Sequence, residues 1–309
     1  MSAPRLLLIA GPTAAGKTAL AIEAARRLDA DIINADSMQV YAGLSVLTAR
    51  PSLEEVGAVP HHLFGHVDPG ERYTTGRWLK DALSVIRDLR AADRRAVLVG
   101  GTGLYFKALT EGLAPTPDIP ADVKARAQAL LDAHGVEGLR AEAERLDPDA
   151  AARIAGADRQ RLLRVIEVAW ATGAPLSALQ GATEPAIAAQ DWTGLVLEPD
   201  RDTLYARIDA RYDAMVKAGG LNEARAIAER ALDPQLPVMK AVGLPPLLDH
   251  LGGVLSLEAA IEQGARDTRR YAKRQFTWFR NQTPDWARIT SLDPERSRAE
   301  LRALIDDQL

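Results

Sequence analysis

Short apolar runs alternate with longer helical patterns through the first third of the chain. Leu6 to Ala10, Asp31 to Ala35 and Ala96 to Val99 are short, mostly apolar runs that read as buried parallel strands. Between them, Lys17 to Leu28 and Gly76 to Ala91 repeat apolar residues at helical spacing. Strands alternating with helices predict an α/β fold built on a parallel sheet. Leu113 to Pro120 carries three prolines and interrupts the pattern. From Ala121 to about Ala178 only helices are expected, rich in Ala, Leu and Arg, and Gly181 to Gln190 reads as a linker. Gly194 to Leu197 reads as one more strand, with helices from there to the end. The expected organisation is a core of residues 1–112 and 192–309, interrupted by an all-helical insertion over 113–191.

The loop after the first strand carries the most specific chemistry. Gly11-Pro12-Thr13-Ala14-Ala15-Gly16-Lys17-Thr18 matches G-x-x-x-x-G-K-[ST], with a strand before it and a helix after it. Such a P-loop turns backbone N–H groups inward around an anion, and the helix N-terminus adds positive potential. Lys17 adds a full charge, and the Thr18 hydroxyl is placed to bind Mg²⁺. The fold class is therefore α/β, a P-loop NTPase-like parallel sheet with an inserted helical domain. Two features depart from an ATP-hydrolysing enzyme. Ala96 to Val99 runs into Gly100-Gly101-Thr102-Gly103 instead of a Walker-B acid. The apolar strand that does lead to an acid is the second one, which leads to Asp36. Strand C-termini in such sheets face the ligand crevice, so Asp36 is placed either as a general base or as the cap of a turn.

Composition sets wider limits. The chain is 47% hydrophobic and 26% charged, an ordinary globular balance. It has no cysteine, which excludes disulfides, a thiol nucleophile and thiolate metal sites, and fits a reducing cytoplasm. The first ten residues lack the features of a signal peptide, and no stretch approaches the roughly 20 apolar residues of a membrane span. A cytoplasmic chain with no membrane partner is expected.

A formal net charge of −4 does not announce a nucleic-acid partner, but the local distribution does. With Arg266 at 0° on a helical wheel, Arg269, Arg270, Lys273, Arg274 and Arg280 fall within about 80° of it. Tyr271, Ala272, Trp278 and Phe279 occupy the packing side. Between Ala265 and Arg280 one acid, Asp267, faces six basic residues, which reads as a phosphate-binding stripe on an acidic protein. The helix starting near Asp158 is similar, with Leu162, Leu163, Ile166 and Trp170 apolar and Gln160, Arg161 and Arg164 on the other face. For both helices the alternative is a solvated structural face. His61, His62 and His66 cluster without an acid at metal-site spacing, and read as loop or packing residues.

Several of these segments together resemble the bacterial tRNA dimethylallyltransferases. They are Gly11 to Thr18, Asp36-Ser-Met-Gln-Val-Tyr41, Thr48-Ala-Arg-Pro51, Gly100-Gly-Thr-Gly-Leu-Tyr105, Asp158-Arg-Gln-Arg-Leu-Leu-Arg164 and Lys273-Arg-Gln-Phe-Thr-Trp278. They occur in family order and span nearly the whole chain. The resemblance implies that Gly11 to Thr18 bind the diphosphate of dimethylallyl diphosphate rather than ATP, and that Asp36 deprotonates the exocyclic N6 amine of the adenine 3′ to the tRNA anticodon. It implies that Ser37, Met38 and Gln39 contact that base and its neighbours, and that Thr102 lies beside the reaction channel and the tRNA. Arg207 and Arg211 would lean over the diphosphate, with Arg211 the better match. Gln160, Arg161, Leu162, Leu163 and Arg164, with Arg270, Lys273, Arg274 and Arg280, would grip the anticodon stem-loop. Lys124 and Lys240 would add basic contacts, and the helical insertion would be a mobile tRNA clamp. Arg50 stands where lysine is common, and Met239 to Pro246 lacks the tyrosine and charged residues usual after its glycine. The chain ends without the zinc-finger extension of many eukaryotic relatives, as expected of a bacterial member.

An adenine amine is a poor nucleophile, so this reaction needs a base at the nitrogen and positive charge at the leaving group. Asp36 would supply the first, and Lys17, the loop amides, Arg211 and Mg²⁺ on Thr18 the second. No DDxxD motif is present, so the P-loop would have to carry the diphosphate. Two other readings remain: a P-loop kinase acting on a small molecule, and a non-catalytic RNA-binding protein. The basic helices oppose the first, and an intact Lys17, Thr18 and Asp36 oppose the second. A monomer is expected.

Overall fold

The structure is a computed structural model and describes residues 5–57, 59–114, 117–179 and 183–309. Pro115 and Thr116 of the proline-rich break, and Gly181 and Ala182 of the expected linker, lie outside the described residues. Two compact units emerge: Met1–Thr110 with Ala186–Leu309, and Glu111–Pro185.

The first unit opens with β1 (Leu6–Ala10), α1 (Lys17–Leu28), β2 (Ala30–Asn34), α2 (Leu53–Val56), β3 (His61–His62), α3 (Thr75–Ala91), β4 (Arg95–Gly100) and α4 (Gly103–Thr110). The helices of the second unit are α5 (Ala121–Leu146), α6 (Pro148–Ala152), α7 (Arg159–Thr172) and α8 (Leu176–Leu179). The first unit resumes with β5 (Trp192–Leu197), α9 (Arg201–Met215), α10 (Leu221–Glu229), α11 (Leu244–Leu251), α12 (Leu257–Gln282), β6 (Ala287–Ile289) and α13 (Pro294–Gln308).

The six strands form one parallel sheet in the order β3-β2-β4-β1-β5-β6. Every residue of β1 and β2 is buried, as strands covered on both sheet faces must be; β1 is apolar throughout, while β2 also buries Asp31 and Asn34. One core, including Leu8, Ile33 and Trp78, covers one face; the other, including Ile9, Ile32 and Phe276, covers the opposite face. Parallel strands all deliver their C-terminal ends to the same edge, so the loops after β1, β2 and β4 meet there.

Two strands depart from the sequence reading. His61 and His62 are not loop residues: they form β3, paired with Ile32 and Ile33. The His62 Nε2 lies 2.6 Å from the Asp31 carboxylate, a side chain only 5% exposed that Arg94 holds from its other oxygen at 2.6 Å. The region after Leu197 is not purely helical, because Ala287–Ile289 adds β6 beside β5. Strands of two and three residues are too short to show periodicity, and only a partner edge reveals them. His66 does stay in a loop, edge-on to Tyr73 at 5.3 Å.

The second unit is all-helical. α5 bends at Gly135, whose φ of 62° suits a residue without a Cβ. The core joins Ala127, Leu139 and Ala143 of α5 to Leu162, Val165 and Ile166 of α7. Asp147, 1% exposed, caps α6 through Ala150 N–H at 3.0 Å and accepts from Ser177 N–H at 2.7 Å.

Candidate active site

The P-loop follows β1 and turns sharply. Gly11 has φ 147°, and a Cβ there would lie 2.7 Å from the Leu197 carbonyl oxygen, so glycine is required by close approach as well as by angle. Gly16 caps α1 in the left-handed region without a side-chain hydrogen bond, which leaves the first helical amides to an anion. Lys17 Nζ donates to the Pro12 carbonyl at 2.7 Å, so the loop folds back on its own lysine. Burial pushes the Lys17 pKa down to about 8; Asp36 opposes this and Arg211 adds to it.

Asp36 stands just past β2 and begins a turn. Its Oδ1 accepts from Met38 N–H at 2.9 Å and Gln39 N–H at 3.4 Å. The turn-cap alternative is thus real for one oxygen, and Oδ2 has no hydrogen-bond partner among the described residues. Beneath it Asn34, fully buried, accepts from Asp36 N–H at 2.9 Å through Oδ1 and donates to the Asp36 and Leu63 carbonyls at 3.0 Å. The Trp78 indole N–H donates to the Asn34 carbonyl at 2.7 Å. The sequence reading missed Asn34, since a strand-end asparagine carries no motif of its own.

The loop after β4 reaches the same place. A Cβ on Gly100 would sit 2.0 Å from the Ala35 carbonyl oxygen, so this glycine lets the two strand ends touch. Thr102 N–H donates to Ala35 at 3.2 Å, and its hydroxyl oxygen accepts from Ser37 N–H at 2.9 Å. Thr102 and Asp36 therefore share one hydrogen-bonded loop pair. Gln39 donates to the Thr48 and Ala49 carbonyls at 3.0 Å and 3.5 Å, holding that segment over the site. Glu223 of α10 fixes it from the other side, accepting from Ser45, Val46 and Leu47 N–H at 2.8 to 2.9 Å. Nothing in the local sequence signals the Glu223 contact, which spans 178 positions.

Two cavities adjoin Asp36. One of about 280 Å³ is lined by Lys17, Thr18, Arg207, Arg211 and Glu55, and is cationic on balance. The other, about 70 Å³, is walled by Met38, Leu47, Ile208, Tyr212, Met215 and Tyr271. Asp36, Thr13 and Arg211 line both. Arg207 and Arg211 lie on α9, and burial lowers the Arg211 pKa, with Arg207 adding to the effect and Glu55 opposing it. Tyr271 does not simply pack: it faces the apolar cavity, and burial together with Asp36 raises its pKa. Helical phase alone placed it on the packing side, because the cavity opens within that side.

Three arginines of the α12 basic stripe have acidic partners. Arg269 pairs with Asp209, Arg280 with Glu198 at 2.5 Å and Arg266 with Glu262 at 3.0 Å. These acids lie outside the stretch read as nearly acid-free, Asp209 on α9 and Glu198 in the loop after β5. Lys273 and Arg274 remain exposed without an ion pair among the described residues, and Arg270 is exposed with a 3.3 Å contact to Asp267. In the second unit Lys124, Gln160 and Arg161 are exposed, and Arg164 is half-buried. Leu162 is fully buried and its side chain packs in that unit's core; Leu163 is half-buried beside it. Lys240 is exposed in a short turn.

No group of three or more His, Asp or Glu side chains suited to a metal occurs among the described residues. Mg²⁺ often relies on substrate phosphates and water with few protein ligands, so the Thr18 hydroxyl lining the cationic cavity would suit such an ion.

The family model described as IPP transferase matches residues 39–282, and that described as isopentenyl transferase matches 4–62. The tRNA dimethylallyltransferase of Maricaulis maris is 56% identical over 300 residues, 97% of each chain. That of Phenylobacterium zucineum is 56% identical over 292 residues, 94% of each chain. Among solved structures, a eukaryotic dimethylallyltransferase acting on tRNA superposes with a TM-score of 0.82 at 27% identity, covering 97% of this chain and 78% of that one. The tRNA isopentenylpyrophosphate transferase of Bacillus halodurans gives 0.69 at 34% identity, covering 98% and 96%.

Proposed function

The chain belongs to the tRNA dimethylallyltransferase family, and from that premise we propose how its site works: it transfers a dimethylallyl group from dimethylallyl diphosphate to the N6 amine of the adenine 3′ to the anticodon. The observation that carries this reading is the position of Asp36, at the junction of a cationic cavity and an apolar one. Diphosphate belongs in the first, against the P-loop amides, Lys17, Arg207 and Arg211. The five-carbon group belongs in the second, against Met38, Leu47 and Tyr271.

The amine nitrogen attacks the allylic carbon, a C–N bond forms, and the C–O bond to diphosphate breaks. The proton leaves to the free oxygen of Asp36, and diphosphate departs with the negative charge. Lys17 and Arg211 are fixed where that charge grows, so they stabilise the transition state more than the ground state. Mg²⁺ held by Thr18 and the diphosphate would neutralise further leaving-group charge. Thr102, bonded to Ser37, keeps the acceptor loop in place beside Asp36. The adenine must leave its stack to reach a carboxylate in a crevice, so unpaired loop adenines react and paired ones do not.

Arg270, Lys273 and Arg274 of the first unit, and Lys124, Gln160, Arg161 and Arg164 of the second, are the groups proposed to contact RNA. No helix among the described residues is long and apolar enough to cross a membrane. A cytoplasmic monomer completes the proposal, with sedimentation testing the oligomeric part. The test of the reaction supplies the donor, Mg²⁺ and an anticodon stem-loop without ATP. The expected result is a prenylated adenine and free diphosphate. A requirement for ATP with stoichiometric ADP would refute the transfer and restore the kinase alternative, which the family relationship does not favour.

A further inference from the structure

Gln275 lies on α12 between the exposed Arg274 and the buried Phe276, and is itself only 5% exposed. Its Oε1 accepts from Thr13 N–H at 2.9 Å, and its Nε2 donates to the Gly101 carbonyl at 2.8 Å. One side chain therefore holds the P-loop and the Thr102 loop at once. The two loops leave neighbouring strands: β1 and β4 pair up to Ala10 and Gly100, where the sheet ladder stops. Gln275 bridges the two chains just beyond that last rung.

The chemistry of the side chain suits the task. A primary amide offers an acceptor and a donor a fixed distance apart, which here meet an N–H and a C=O. Leucine supplies neither, and ionised glutamate supplies only the acceptor. The site is shaped around it: a Cβ on Gly101 would lie 2.2 Å from Nε2. On either side of the bridge stand the two halves of the reaction. Thr13 belongs to the diphosphate cradle, while Gly101 precedes Thr102, whose hydroxyl oxygen accepts from Ser37 N–H at 2.9 Å, next to Asp36.

We propose that Gln275 is a positioning residue, which sets the donor loop against the acceptor loop so that the leaving group and the amine stand at reacting distance. The proposal rests on the prenyl-transfer reading above. Gln275 lines neither cavity; it acts through the Thr13 and Gly101 backbones. Displacing one loop against the other by about 1 Å costs on the order of 10² in rate without removing any substrate contact.

The test is steady-state kinetics of wild type, Gln275→Leu, Gln275→Glu and Gly101→Ala with dimethylallyl diphosphate and an anticodon stem-loop, alongside RNA affinity and thermal melting. Gln275→Leu should lose kcat by roughly 10²-fold, with both KM values and the RNA affinity within about threefold of wild type. Gln275→Glu keeps the Thr13 contact alone and should fall between. Gly101→Ala leaves Gln275 in place but pushes its amide away, so it should reproduce the kcat loss; it carries the test if Gln275→Leu melts early. A kcat within threefold of wild type in Gln275→Glu and Gly101→Ala overturns the proposal, and so does a loss confined to KM for RNA. A wild-type enzyme that releases no diphosphate overturns the transfer reading instead, whatever the variants do.

Discussion

Lys17 offers a quantitative handle on the donor site, because burial holds its pKa at about 8, below the 10.5 of a free lysine. A diphosphate selects the charged form. At pH 7 about nine-tenths of the empty sites carry the charge, and at pH 9 roughly one in eleven. Apparent affinity scales with the competent fraction, so donor binding should weaken about tenfold over those two pH units. That is about 1.4 kcal/mol. Binding should also take up close to one proton per site at pH 9, since the bound diphosphate restores the charge. Calorimetric titration of the donor at pH 7, 8 and 9, in buffers of different ionisation enthalpy, reads both quantities. Lys17→Ala should bind weakly at every pH and show no such slope. Affinity constant within twofold from pH 7 to 9, or an equal slope in Lys17→Ala, would refute the reasoning. The same shift acts on folding. The unfolded chain binds the proton more tightly, so between about pH 8 and 10.5 this lysine adds stability as pH rises.

Asp36→Asn should fold normally, because its amide oxygen still accepts from Met38 and Gln39 N–H; kcat should drop by about 10²–10⁴, and turnover within tenfold of wild type would exclude Asp36 as the base. Neutralising Arg270 and Arg274 together should reduce the log–log salt slope of tRNA binding by up to about two, and an unchanged slope would turn that face away from RNA. Glu223→Ala strands three backbone N–H groups and should cost on the order of 2–3 kcal/mol in urea unfolding, with a raised donor KM as Leu47 and Thr48 loosen at the cavity wall. A variant that matched wild type in both would make the Glu223 contact incidental.

Local signals in the chain determined the P-loop, the four longer strands, the helical character of residues 121–178 and the placement of Asp36 at a strand end. Each rests on neighbours in sequence: an unbroken apolar run, a glycine pattern, a helical spacing. The sheet edges were decided elsewhere, since β3 and β6 exist only because β2 and β5 offer open partners. Tertiary structure also decided which charges are paired. Arg269 and Arg280 read as RNA-facing along their helix, yet Asp209 of α9 and Glu198 after β5 meet them. Tyr271 reads as packing, yet a cavity opens at its position, and Leu162 reads as part of an RNA motif, yet the second unit's core takes it. Gln275 sits inside a recognisable basic motif, while its partners Thr13 and Gly101 are 262 and 174 positions away. Hydrogen-bond partners of a buried polar side chain are set by the folded chain, because only there does the cost of leaving it unpaired choose among distant backbone groups.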